Sequence, residues 1–144
     1  MTGLPVRPGQ RTSFSKTVAE SDVYAFAGLT GDFAPQHVND HYMRQTRFGR
    51  RIAHGALLVG FMSTASTQII GDIASDGRET PLNYGYDRIR FTAPVFLGDT
   101  VTVSYEIVEV DSAKRRAFAK IEATNQDGTV VAVATNILQW VGND

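Results

Sequence analysis

The chain has 144 residues, a length that suits one domain with one core. It is 42% hydrophobic and 20% charged with a formal net charge of -1, so it reads as an ordinary globular chain with no electrostatic pull toward nucleic acid or an anionic membrane. It has no cysteine, which excludes disulfides, thiolate nucleophiles and cysteine-ligated zinc.

The opening stretch M-T-G-L-P-V-R-P-G has no apolar run of the secretory kind, so a cytoplasmic setting is the default expectation. Residues 1–10, with two prolines and two glycines, are expected to be a mobile lead-in to a single domain over 1–144. Residues 11–18 alternate loosely, as an edge strand does. Ser21 suits an N-cap, Asp22 suits the first turn, and Val23, Phe26 and Ala27 follow at helical spacing, so a short helix is expected over 22–29. Residues 32–39 are expected to be irregular, because Pro35 biases Ala34 away from helical angles. Asn39 or Asp40 then caps about two helical turns ending near Gln45, and Phe48-Gly49-Arg50-Arg51 is a turn.

Residues 53–70 are apolar on almost every face, which predicts a helix wrapped by other structure, closed by Gly71. Interrupting Ser, Thr, Gln and Gly residues, and the lack of interfacial anchors, argue against a membrane span. Residues 72–81 form a polar connection with a turn at Asp76-Gly77. The remainder is β-rich. A strand covers 82–91, and Leu97-Gly98-Asp99 turns the chain. Val101, Val103, Tyr105 and Ile107 alternate until a slip at 108–110 that predicts a bulge. After a turn at 111–114, Ala117, Ala119, Ile121 and Ala123 alternate, Asn125-Gln126-Asp127-Gly128 marks a hairpin, and 130–141 is the last strand. One strand, short helices, a long helix and four long strands give an α+β class, an antiparallel sheet curled around a central helix.

Two features can carry chemistry. Asp32 and His37 sit on the proline-stiffened loop, where a carboxylate and an imidazole can hold one water between them. The competing reading is a turn-capping aspartate and a satisfied structural histidine. His54-Gly55 opens the long helix, where free N–H groups and the absence of a side chain suit an oxyanion hole; the competing reading is a glycine required only for close packing. His37 and His41 form an H-x3-H pair, but it straddles the expected helix start and no third ligand cluster is evident, so no metal is expected. No phosphate loop or nucleophile elbow is present. Arg44, Arg47, Arg50 and Arg51 read as a solvated face able to meet a phosphate-bearing ligand, and Lys114-Arg115-Arg116 as a solvated turn.

The stretch L-T-G-D-F-A-P-Q-H-V-N-D, followed by F-G-R-R-I-A-H-G-A-L and later I-R-F-T-A-P-V-F-L-G-D-T-V, resembles the MaoC-like (R)-specific enoyl-CoA hydratases over roughly residues 10–141. The resemblance implies a hot-dog fold and a homodimer or dimer of dimers, with an acyl-CoA or acyl-carrier thioester as substrate along the subunit interface. It implies no separate cofactor and neither nucleic acid nor membrane as partner. It makes Asp32 and His37 the catalytic pair and Gly55 N–H the oxyanion donor. Ala34, Gln36, His54 and Ser63 become substrate-side positions. The resemblance departs at one point: the family pattern is D-x-N-P-x-H, and this chain has Ala34 where the asparagine stands. That leaves room for a slower hydratase, a recut pocket, or a thioester-binding protein without turnover. Gln36 could supply the missing amide. A single hot-dog unit suggests short or medium acyl groups. A hot-dog thioesterase is the other enzymatic reading.

Overall fold

The computed structural model describes residues 3–71 and 77–144. The elements run β1 (Arg11–Thr17), α1 (Glu20–Thr30), α2 (Pro35–Val38), α3 (Asp40–Arg44), α4 (Gly55–Gly71), β2 (Glu79–Phe91), β3 (Thr100–Asp111), β4 (Arg116–Thr124) and β5 (Val130–Gly142). One five-stranded sheet has the order β1-β3-β4-β5-β2, with every neighbouring pair antiparallel.

The period-2 pattern of the sequence becomes the inner face of this sheet. Val101, Val103, Tyr105 and Ile107 of β3 are buried beside Ala117, Ala119, Ile121 and Ala123 of β4, with Ala132, Ala134, Leu138 and Trp140 of β5 continuing the layer. The run of alanines keeps the centre of the sheet low, so α4 can lie close to it. That helix buries Leu58, Phe61, Met62, Ala65 and Ile69 against the sheet. Ala56, Gly60, Ser63 and Thr67 remain exposed. The helix is therefore wrapped on one side within a single chain, not all round as its composition predicts.

A polar network lies within this layer. Asn136 is fully buried; its Oδ1 accepts from Tyr105 Oη at 2.6 Å, and its amide donates to Asn83 Oδ1 at 2.9 Å and to the Gly85 carbonyl at 3.0 Å. Register in the β2–β5 pair shifts between Asn83 and Gly85, so the side chain of Asn136 satisfies a carbonyl at that irregularity. Burial raises the Tyr105 phenol well above its ordinary pKa, keeping it a neutral donor.

Several elements differ from the sequence expectation. Residues 3–10 are not a loose lead-in: Val6 is buried in the core, and Gly9 N–H donates to the Ile107 carbonyl at 2.8 Å. Helix α1 starts at Glu20, two residues before the expected start, because the Asp22 carboxylate accepts the Ala19 N–H at 2.8 Å and makes Ala19 the cap position. Residues 35–38 form a helical turn in place of the irregular loop, with Pro35 at the first position, where its missing N–H costs nothing. Strand β2 begins at Glu79, three residues early; of the expected turn, Asp76 lies outside the described residues and Gly77 has φ +77°. The bulge after Ile107 and the Gly128 turn, φ +77°, stand as expected. The basic run at 114–116 is not merely solvated. Arg115 pairs with Glu79, and Arg116 donates to Gln139 Oε1 at 2.6 Å with its guanidinium over the Tyr84 ring.

Candidate active site

The expected catalytic loop is built by a chain of local constraints. Gly31 takes the left-handed conformation that ends α1 (φ +82°), and the next residue is Asp32. Asp32 Oδ1 accepts the Ala34 N–H at 3.2 Å, an Asx-type turn, and the side chain is exposed. The single turn α2 then directs His37 inward, where it is 7% exposed. His37 Nδ1 lies 2.7 Å from the Ile52 carbonyl. A carbonyl only accepts, so Nδ1 carries a proton, and in the neutral ring Nε2 is the acceptor. The turn-capping aspartate and the hydrogen-bonded histidine of the competing reading are thus both real. Each still leaves an atom free for chemistry.

Ile52 is itself held from two sides. Its N–H donates to Gln36 O at 3.0 Å, it bridges to Phe96, and Ala53 N–H donates to Val95 O at 2.7 Å. Residues 52 and 53 form a strut between α2 and the segment before β3. Gln36 enters the site through this main-chain bond.

His54 follows the strut and is 2% exposed. Its Nε2 donates to the Asp32 carbonyl at 2.9 Å, and its ring stacks on His37 with centroids 3.7 Å apart and planes 25° off parallel. Phe26 of α1 is also against the His54 ring, centroids 4.6 Å apart. One potential ligand atom from each of Asp32, His37 and His54 falls within 4.8 Å of the others, although both His54 nitrogens are accounted for, Nε2 by the Asp32 carbonyl and Nδ1 by burial. Gly55 is the first residue of α4, and no hydrogen-bond partner is found for its N–H among the described residues. A Cβ there would come within 2.6 Å of the Phe91 ring. Close packing therefore demands this glycine in the present arrangement, whatever ligand also approaches it.

Other expected positions are not joined to this group. Ser63 lies eight residues along α4 from Gly55, about 12 Å by helical rise. It is exposed, and no hydrogen bond from its side chain to Asp32, His37 or His54 is found among the described residues. His41 is exposed and its Nε2 is 3.1 Å from Gln45 Nε2, so the H-x3-H pair does not converge. An open surface depression lined by Arg11, Ser13, Glu106, Lys120 and Glu122 shares no residue with the histidine pair.

Sequence reasoning missed Arg51 and Phe91. Arg51, read as solvated, has a side chain only 10% exposed. It donates to Glu20 Oε1 and Asp40 Oδ1, both at 2.7 Å, and to Tyr24 Oη at 2.9 Å, tying α1 and α3 to the residue before Ile52. The hydrogen bond from Arg51 is the main cause holding the Glu20 carboxyl below its ordinary pKa, and the bond to Glu20 likewise raises Arg51. Nothing in the spacing of Glu20, Tyr24, Asp40 and Arg51 marks them as partners. The Phe91 ring was recognisable as part of a strand end but not as the cover of Gly55.

Comparison with known proteins places the chain among similar sequences and folds. A (R)-specific enoyl-CoA hydratase of Rhodospirillum rubrum is 40% identical over 111 residues, 76% of this chain and 72% of that protein. A 3-hydroxybutyryl-CoA dehydratase of Methylorubrum extorquens is 38% identical over 103 residues, 71% of this chain and 60% of that protein. Among solved structures, the (R)-hydratase of Aeromonas caviae involved in PHA biosynthesis superposes with a TM-score of 0.82 at 28% identity, covering 93% of this chain and 96% of that one. The antiparallel sheet against one long helix is the hot-dog fold expected. Residues 5–131 match the description "MaoC like domain", and by that match the chain belongs to the MaoC-like domain family.

Proposed function

We propose that this protein is a hydro-lyase that adds water to a 2-enoyl thioester, and removes it from the (R)-3-hydroxyacyl thioester in reverse. The observation that carries the reading is the pairing of His37 with Asp32: His37 Nδ1–H is committed to Ile52 O, which leaves Nε2 as the acceptor of the neutral ring, and one ring nitrogen lies within 4.8 Å of an Asp32 carboxylate oxygen. One water held between them loses a proton to that acceptor pair as its oxygen attacks C3. The electron pair of the double bond moves through C2 onto the thioester oxygen. A backbone N–H such as that of Gly55 meets the developing charge, and one such donor is worth roughly 2.7–4 kcal/mol. The captured proton then passes to C2, so the elements of water are added across the bond and the thioester remains intact.

Ala34 takes part only through its main chain here, closing the Asp32 turn and starting α2. The water is therefore assigned to the carboxylate and the imidazole without an amide at that position. We assign the substrate as a coenzyme A or acyl-carrier thioester, and the active species as a homodimer or a dimer of dimers. Support for association comes from β2, which among the described residues pairs only with β5 and exposes Leu82, Tyr84 and Phe91 along its length. None of the described helices is long and apolar enough to cross a membrane.

The test is turnover of crotonyl-CoA and short branched enoyl-CoAs, followed at the enoyl-thioester absorbance. Asp32→Asn and His37→Ala are each expected to lower kcat by ~10²–10⁴-fold, with the melting temperature unchanged in Asp32→Asn, whose side chain is exposed, and lowered in His37→Ala, which loses a buried, hydrogen-bonded ring. Full activity in both variants would sink the assignment, and release of free thiol in place of hydration would make the protein a thioesterase.

A further inference from the structure

We infer that His54 is a positioning residue, held in this core for the single hydrogen bond it gives to the Asp32 main chain and not for contact with substrate. The inference rests on the hydratase reading. Its starting point is an unpaired atom. His54 Nδ1 is the one buried side-chain nitrogen or oxygen found without a hydrogen-bond partner among the described residues. The carbonyl of Asp32 fixes the proton on Nε2, so Nδ1 is a bare acceptor shut away from water. An unpaired buried acceptor is destabilising, and replacing it by an apolar group of similar size is close to neutral or better. The surroundings are already apolar and aromatic, with Phe26 and the His37 ring both against the His54 ring. A methionine would satisfy such a site on packing grounds. What methionine lacks is the donor.

That donor has a specific consequence. The Asp32 side chain is exposed, and its Oδ1 is tied only to the neighbouring Ala34 N–H. The local turn sets the carboxylate relative to its own loop, not relative to His37. The 2.9 Å bond from His54 to Asp32 O is a long-range link from the loop to the segment that also holds His37 through Ile52 O. His37 and the Asp32 main chain are thus referred to one three-residue segment, 52–54, and the stacked rings, 3.7 Å apart, keep the two anchors together. The ring of His54 is 2% exposed, so the substrate contact that sequence resemblance suggests for it gives way to action through Asp32.

Two substitutions separate this role from packing. His54→Gln places an amide N–H near the position of Nε2 and keeps the donor; His54→Met fills the volume and removes it. In His54→Met, kcat for crotonyl-CoA is expected to fall on the order of 10-fold to 10²-fold, the cost of a small misplacement of a reacting group, with KM unchanged and the melting temperature equal to or above that of the unmodified protein. Amide exchange at residues 31–34 is expected to quicken. His54→Gln is expected to restore most of kcat and the slow exchange. Full activity in His54→Met overturns the inference, as does an equal loss of stability and kcat in both variants. If the unmodified protein turns over no enoyl thioester, the hydratase reading fails alone. The exchange and melting measurements then still decide whether His54 braces the loop.

Discussion

Around α4 the stabilising contacts are apolar, whereas residues 19–54, the cap, are oriented largely by polar side-chain contacts. Met62, Ala65, Val103, Ile107, Ala119 and Ile121 are at most 1% exposed and contribute through packing, with the Asn136 network and the Ser66 hydroxyl, which donates to Ser63 O, as polar inclusions. In the cap, Val23, Ala27 and Met43 supply a small apolar base. Everything above it is oriented by directed bonds: Asp22 to Ala19, Asn39 to Tyr42, Arg51 to three partners, His37 to Ile52 and His54 to Asp32. Apolar packing is strong and non-directional. Hydrogen bonds contribute less net stability but fix angles. The molecule thus keeps its stability in one region and its angular precision in another.

That contrast is broken most severely from the core side. Met62 is 0% exposed at the centre of α4, so Met62→Ala leaves a cavity between helix and sheet and should cost about 2–5 kcal/mol. Urea unfolding should show the full loss in the midpoint. The folded fraction should retain its kcat, because no directed bond of the cap is touched. A proportionate loss of kcat per folded molecule would mean the two regions are not separable.

Next in size is the polar inclusion. Asn136→Ala strands the Tyr105 hydroxyl and the Gly85 carbonyl, for an expected loss of about 1–3 kcal/mol. Chemical denaturation of Asn136→Ala against Tyr105→Phe checks it: the phenylalanine variant removes one partner at the edge of the network and should cost less.

How much of this was readable follows the same division. Alternation at Val101–Ile107 and Ala117–Ala123 was enough for strand and face, because period-2 burial is a local property of the chain; the pairing came from the structure. Asp32, His37 and Gly55 were singled out because their spacing is part of a long ordered motif, and the fold brings Asp32 and His37 into one group. What was not legible depended on bonds between residues far apart in sequence. Arg51 looked like one of four surface arginines until Glu20, 31 residues away, was placed against it. Ile52 carries no side-chain signal at all, since its carbonyl is what sets the His37 tautomer. Val6 sits among prolines and glycines that speak for a loose segment, and only β3 supplies the carbonyl that ties that segment down.

Arg51→Met tests the cap at its quietest point. The guanidinium is 10% exposed, but the Glu20 and Asp40 side chains it binds are 55% and 54% exposed. Removing it leaves two carboxylates that rehydrate, not a stranded buried charge, so the loss of stability at neutral pH should be smaller than in either core variant. Its pH dependence has a definite sign. Arg51 holds the folded-state pKa of Glu20 below the ordinary value of 4.5. The stability from that pairing is therefore present above pH 4.5 and is lost as pH falls through the depressed folded-state value. The gap in melting temperature between unmodified protein and Arg51→Met should narrow as the solution is acidified below that point, and should shrink with added salt at neutral pH. Turnover should respond differently. Arg51 precedes Ile52, whose carbonyl orients His37, so kcat should fall by more than the small stability change implies, with KM little altered. A gap independent of both pH and salt would show that Arg51 acts through packing of its aliphatic stem, and that the cap is held like the core.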